Sequence, residues 1–201
     1  MEMDFTIMEI DAEQFVRDMF KTFSDKQFPY HNFEHTRRVA MHSCEIGQVS
    51  FLREEDLFII VTAAWFHDIG HLIGPMELHE ENGVEVMRSY FAKTALSPEI
   101  IAAIAGCIMA TKYPSLPSTM NEKIVCDADT YHFGTLYFRE TDPLVRKEVA
   151  QRLGKTLPLP IWRAKTIQLL KTHQFFTGYC QEKLNPGKQS NLEWLESPDY
   201  Q

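Results

Sequence analysis

Histidines and aspartates fall in this chain where a folded core gives no reason for them. His67 and Asp68 close the apolar run Leu57-Phe58-Ile59-Ile60-Val61-Thr62-Ala63-Ala64-Trp65-Phe66, which reads as a buried helix ending near Gly70. Neighbouring helical side chains point about 100° apart, so a core alone would not bury both. A metal ion would: one imidazole nitrogen and one carboxylate oxygen can converge on a cation at a helix end. His31 and His35 stand four apart and are expected on one helix face. Asp127 and Asp129 follow the apolar Ile124-Val125-Cys126. Each has an ordinary explanation by itself. A histidine can be a satisfied core residue, and an aspartate can belong to a loop. A carboxylate where Asp68 lies, however, opposes the helix dipole.

The elements that must position these residues read as helices throughout. β-branched alternation is nearly absent, and Gly and Pro punctuate helical patterns. A first amphipathic helix is expected over 12–23, with Asp11 as N-cap and Phe15, Met19, Phe20 and Phe23 on one side. A turn at Phe28-Pro29-Tyr30 leads to a second helix carrying His31 through Val39. A third runs over 54–69 and a fourth over 77–93. Ser97-Pro98-Glu99 starts a fifth over 100–111, apolar on all sides and expected at the centre. A sixth spans 122–133. The chain then continues helical, with breaks at Asp142-Pro143 and Pro158–Pro160, a long helix over 162–184, a stop at Pro186-Gly187 and a terminal turn holding Trp194. The sum is an all-α bundle of eight or nine helices.

A chain of 201 residues, 44% apolar and 24% charged, has the size and composition of one globular domain. Its net charge of −8 argues against a dedicated partner of nucleic-acid polymers. The segment 139–171 carries eight Lys/Arg against three Asp/Glu, a local +5. That is either a solvated helix surface or a basic rim for a small phosphorylated ligand. Cys44, Cys107, Cys126 and Cys180 show no paired spacing and read as reduced thiols of a cytoplasmic protein. The first residues lack a basic, apolar leader pattern, and no apolar run reaches the ~20 residues that span a bilayer. No membrane association is expected.

Taken together, the residues resemble a known family. His35, then His67-Asp68, then Asp129, on successive helices, resembles the HD superfamily of metal-dependent phosphohydrolases. Tyr30-His31-Asn32-Phe33-Glu34-His35 is similar to the Tyr-His-Asn-x-x-His motif shared with cyclic-nucleotide phosphodiesterases. His79-Glu80-Glu81-Asn82-Gly83 resembles the His-Glu-x-x-Gly element that follows the HD pair, and Ala110-Thr111-Lys112 an Ala-Thr-Lys segment of bacterial members. The resemblance implies a single all-α HD-type domain over 1–201, with a motif core at 30–134 and a helical extension at 135–201.

Carried over residue by residue, it implies His35, His67, Asp68 and Asp129 as metal ligands. Asp68 would bridge to a second, weaker ion with His79 as its ligand. The mixed donor set suits Mn, Fe, Zn, Co or Ni, with Mg less well matched. Binuclear members carry a further histidine where this chain has Cys107, which reads as core. His31 matches the general acid of the phosphodiesterases, and an imidazole can give a proton near neutral pH. Lys112 either snorkels to solvent or neutralises a phosphate oxygen. Asp127, His71 and His132 are candidates for supporting roles. The expected activity is hydrolysis of a phosphoester by metal-activated water, on a small phosphorylated substrate such as a nucleotide or cyclic nucleotide. Two alternatives are a non-catalytic nucleotide-sensing module and an HD-fold mixed-valence di-iron oxygenase.

Overall fold

The computed structural model describes residues 4–23, 28–198 and 200. Among these residues the chain is helical, with nine α-helices, three short 3-10 turns and no strand. The helices are α1 (Phe5–Thr22), α2 (Phe33–Val49), α3 (Glu54–Phe66), α4 (His79–Phe91), α5 (Pro98–Ala110), α6 (Met120–Asp129), α7 (Phe138–Leu153), α8 (Leu159–Thr172) and α9 (Gly178–Glu196). No helix among them is long and apolar enough to cross a membrane. The chain packs as two units. One holds α1 to α6, and the other holds residues 28–30 with everything from Thr130 onward.

In the first unit α3 is the central element. Every residue from Phe58 to Phe66 is buried, as a helix apolar all round must be, and α1, α2, α5 and α6 pack around it. The expectation that the fifth helix is central is corrected. α5 buries Ile100, Ile104, Ala105, Cys107 and Ile108 on one side, while Ala102 is exposed and Ile101, Ala103 and Met109 are only partly covered. α1 also begins earlier than expected. Asp4, not Asp11, caps it by accepting from the Ile7 N–H at 3.1 Å. The added length, about two turns, brings Phe5 onto Phe58 with ring centroids 4.8 Å apart, while Phe15 packs on Phe66 at 5.9 Å.

The helix starts and stops near the histidines decide where their side chains go. Asn32 Oδ1 accepts from the Glu34 and His35 N–H groups at 3.0 and 3.2 Å, so α2 starts at Phe33 and His31 lies just outside it. α3 stops at Phe66. His67 keeps helical angles, Asp68 sits at φ −103° and ψ −3°, and the chain tightens into a 3-10 turn over Ile69–Leu72. The sequence pattern had carried that helix to 69, the sixth to 133, and the fourth from 77. Instead α6 ends at Asp129 and a 3-10 turn follows over Tyr131–Gly134, while Met76–Leu78 forms another turn before α4.

The second unit departs furthest from expectation. α7 runs unbroken through Pro143, and α9 runs through Pro186 to Glu196, taking Trp194 with it. The long helix expected over 162–184 is interrupted at 173–177, where Thr177 Oγ1 accepts from the Cys180 N–H at 3.2 Å and starts α9. Gly187 stays helical because its bare backbone lies against Gly134: a Cβ there would stand 1.9 Å from the Gly134 carbonyl oxygen. Asn191 further ties α9 to that turn by donating to the Phe133 and Thr135 carbonyls at 3.0 and 2.8 Å.

Candidate metal centre

Four side chains from three helix ends meet inside the first unit. His35 comes from the first turn of α2, His67 and Asp68 from the end of α3, and Asp129 from the last residue of α6. Asp68 Oδ2 stands 3.3 Å from His35 Nε2 and 3.2 Å from His67 Nε2. Asp129 Oδ1 stands 3.2 Å from His35 Nε2 and 3.6 Å from His67 Nε2. His35, His67 and Asp68 are buried, whereas the Asp129 side chain is 27% exposed, so the cluster opens on the Asp129 side.

The carboxylates set the charge of these rings. Burial alone would push the imidazoles down. Against it, Asp129 and Asp68 raise His35, and Asp68 and Asp129 hold His67 well above the ordinary range. Burial likewise opposes ionisation of the carboxyls. The neighbouring histidines overcome it and pull Asp68 and Asp129 below the usual carboxylate range.

Whether the cluster suits a cation is decided by its unsatisfied atoms. His67 Nδ1 donates to the Ala64 carbonyl at 2.8 Å, which fixes the ring so that Nε2 faces the carboxylates. Yet His67 Nε2 and Asp68 Oδ2 are both buried without a hydrogen-bond partner, although they lie 3.2 Å apart. They point at a common centre and not along a bond to each other. A buried charged oxygen left so is costly, and a cation between them removes the cost. Nitrogen and carboxylate donors from His35, His67 and Asp129 all lie within 4.8 Å of one another, and the set fits a divalent transition metal.

Asp68 also faces a second group with its other oxygen. Oδ1 lies 3.7 Å from His71 Nε2 and 3.8 Å from His79 Nε2. The His71 and His79 rings stack at 3.9 Å, and His31 lies 4.8 Å from His71, ring to ring. His31, Asp68 and His71 together offer ligand atoms within 4.8 Å of one another. His31 therefore reaches the centre from outside α2, its ring 5.7 Å from that of His35. His79 Nδ1 points to the Met76 carbonyl at 2.6 Å and to Glu80 Oε2 at 3.3 Å. Burial raises the Glu80 carboxyl above its usual range.

The remaining candidates are placed as follows. Lys112, just past α5, pairs with Glu81 of α4. Asp127 is buried two residues before Asp129 and joins neither group of metal-binding geometry among the described residues. His132 belongs to the second unit, its Nδ1 3.1 Å from Tyr30 Oη. Cys107 is buried in α5, and burial pushes its thiol up to about 12. His71 has a larger place than its sequence setting gave it. The signal was its position four after His67, at a helix end that the apolar pattern could not locate. Nothing in the sequence paired Glu81 with Lys112, because the two are 31 residues apart and meet only in the fold.

A family model described as the HD domain matches residues 32–134, half of the chain, and spans all four clustered side chains. The chain belongs to the HD domain family. Solved structures share the fold of this HD domain protein at low identity. A predicted HD superfamily hydrolase from an uncultured Thermotogales bacterium is 19% identical, with a TM-score of 0.61 over 92% of this chain and 88% of that one. Bacillus subtilis YpgQ, in complex with ADP, is 18% identical, with a TM-score of 0.61 over 90% and 94%. The Lin1889 protein of Listeria innocua is 20% identical, with a TM-score of 0.60 over 97% of both chains. No curated protein sequence matches the chain.

Proposed function

We propose that this HD domain is a metal-dependent phosphohydrolase whose substrate is a nucleotide-class phosphoester. The observation that carries the reading is the convergence of His35, His67, Asp68 and Asp129 with His67 Nε2 and Asp68 Oδ2 left unsatisfied in the interior. These four would hold a divalent transition metal, and Asp68 with His79 would hold a second, weaker ion, with His71 beside them. When bound, such an ion supplies acidified water and neutralises charge on phosphoryl oxygens.

The chain's own groups account for the rest. His35, His67 and Asp68 are buried by the packing of α2, α3 and α6, so polar contacts among them are strengthened. Asp68 orients both clusters, one with each oxygen. His31, outside α2 and beside His35 and His71, gives a proton from its imidazole to the departing oxygen. Lys112 neutralises a phosphate oxygen at the rim. The ADP held by the YpgQ relative supports a nucleotide over other phosphoesters.

The test is hydrolysis of a panel of nucleotides and cyclic nucleotides with added Mn, Co or Mg. Turnover by the wild type, lost in Asp68→Ala and cut at least tenfold in His31→Ala with metal content unchanged, is expected. Inactivity across metals and substrates, with wild type equal to Asp68→Ala, overturns the reading.

A further inference from the structure

His31 lies in no helix, yet the chain is held on both sides of it. After it, Asn32 Oδ1 accepts from the Glu34 and His35 N–H groups and caps α2. Before it, the Tyr30 N–H donates to Glu148 Oε2 at 2.9 Å. Tyr30 and Glu148 are both buried, at 8% and 1% exposure. Glu148 divides its two oxygens. Oε1 accepts from Arg152 Nε and Nη2 at 3.0 and 2.5 Å, and Oε2 accepts from Tyr30. The Arg152 guanidinium also lies over the Phe28 ring, 4.1 Å from its centre.

Burying a carboxylate to hold one backbone N–H is costly, and packing of Phe28, Pro29 and Tyr30 alone would not call for it. The Tyr30 ring has a hold of its own, since Oη lies 3.1 Å from His132 Nδ1. That bond sits at the end of a rotatable side chain. The bond to Glu148 instead fixes the backbone, where Pro29 has already restricted φ. The contact is internal to the second unit, which holds both residues 28–30 and Glu148. The peptide bond from Tyr30 to His31 carries it on, with Cα atoms about 3.8 Å apart across a planar link. His31 is thus a one-residue span between a fixed backbone and a helix cap. From there its ring stands 4.8 Å from that of His71 and 5.7 Å from that of His35.

We propose that Glu148 is a positioning residue for His31: by holding the Tyr30 N–H it fixes the backbone from which the His31 imidazole reaches His71 and Asp68. Arg152 aligns the carboxylate and, over Phe28, steadies the start of the same segment. Glu148 touches neither the metal ligands nor a reacting atom and acts only through the chain. Its effect on turnover rests on the proposed phosphohydrolase reading, in which His31 gives the proton. Its effect on where the His31 ring lies does not.

The experiment compares Glu148→Gln/Arg152→Met with Glu148→Met/Arg152→Met in the full chain. Removing both charges of a buried pair leaves no orphan ion, so both variants should fold, with melting temperature as the check. They differ by one acceptor, because only the first keeps a side-chain oxygen for the Tyr30 N–H. Glu148→Asp, which draws the carboxylate back by one methylene and leaves Arg152 in place, is a third variant that serves if the second does not fold. NMR of the metal-free protein reads the Tyr30 amide exchange rate and the nuclear Overhauser contact between the His31 and His71 rings. The contact between the His71 and His79 rings, 3.9 Å apart, is the internal control. In Glu148→Met/Arg152→Met, and in Glu148→Asp, the Tyr30 amide should exchange about tenfold faster. The His31–His71 contact should vanish there while His71–His79 stays. Glu148→Gln/Arg152→Met should keep both contacts. On any nucleotide that the hydrolysis panel finds, kcat should fall about tenfold or more between the two double variants, with KM unchanged. A lower melting temperature with the His31–His71 contact retained shows a brace of the fold and overturns the proposal. Loss of that contact in both double variants alike overturns it too. If no nucleotide is turned over, the phosphohydrolase reading fails, and the NMR comparison still decides this one.

Discussion

Replacing Gly70 by alanine tests how the two halves of the centre are held together. A Cβ at Gly70 would stand 1.9 Å from the His79 carbonyl oxygen and 2.8 Å from the Gly83 nitrogen. Both are backbone atoms and cannot rotate away. Ordinary contact begins near 3.4 Å, so the turn over Ile69–Leu72 and the start of α4 must separate by roughly 1.5 Å, beyond what a packed interior absorbs without loss. Overpacking of this kind costs about 3 kcal/mol, a fall in Tm of roughly 6–12 °C for a chain of this size. The same displacement carries His79 away from Asp68 Oδ1, now 3.8 Å distant, but leaves Asp68 Oδ2 against His35 and His67. The variant should therefore keep its metal-dependent thermal shift while losing any contribution from His79. Two controls calibrate the result by scanning calorimetry. Gly178 has nothing within 4 Å of its added Cβ, so Gly178→Ala should leave Tm unchanged or slightly raised. Gly154 is equally open but sits at φ +65°, so Gly154→Ala should cost about 1 kcal/mol from backbone strain alone. If Gly70→Ala melts within about 2 °C of wild type, or no lower than Gly154→Ala, the close approach of α4 to the turn does not set the geometry of this site.

Three further outcomes follow from particular side chains. A divalent transition metal at about a hundredfold excess over its Kd should stabilise the protein by roughly 2.7 kcal/mol, and scanning fluorimetry should find that shift abolished in Asp129→Ala and His67→Ala. Cys107→Ala should lower stability by about 1 kcal/mol and leave the metal shift intact, and the wild-type Cys107 thiol, pushed up to about 12, should resist iodoacetamide until the protein unfolds. Asp142 accepts from Trp162 Nε1 at 2.9 Å and Tyr200 Oη at 2.7 Å, and burial raises its carboxyl above the usual range. The folded chain holds that proton more tightly than the unfolded chain, so the stability it supplies is full at acid pH and is lost as pH climbs from the ordinary carboxylate range through the raised value. In denaturant melts the stability gap between wild type and Asp142→Asn should narrow over that window, and a gap that widens with pH contradicts the assignment.

What could be read in the amino-acid order, and what could not, separates along one physical line. Local chemistry was legible. The apolar run before His67 marks a buried helix, Ser97-Pro98 starts α5, and the order of His35, His67-Asp68 and Asp129 names four side chains that the structure brings within a few ångströms of one another. Where a helix stops was not legible, because tertiary contacts decide it. Pro186-Gly187 carries every mark of a break, yet α9 continues through it, since Gly187 is needed bare where the chain meets Gly134. Propensity is a weak prior against such a contact. The same limit hid His71. With α3 drawn on to Ile69, residue 71 reads as the residue after a helix. With α3 ended at Phe66, the 3-10 turn swings it under Asp68 Oδ1, 3.7 Å away. The stop itself has a cause in the pair it presents. Continued as helix, Asp68 would point about 100° from His67, and one carboxylate could not serve both clusters. Ending the helix at Phe66 leaves Asp68 between them, with one oxygen toward His35 and His67 and the other toward His71 and His79. The break in regular structure is therefore the device that lets a single aspartate join two sets of histidines.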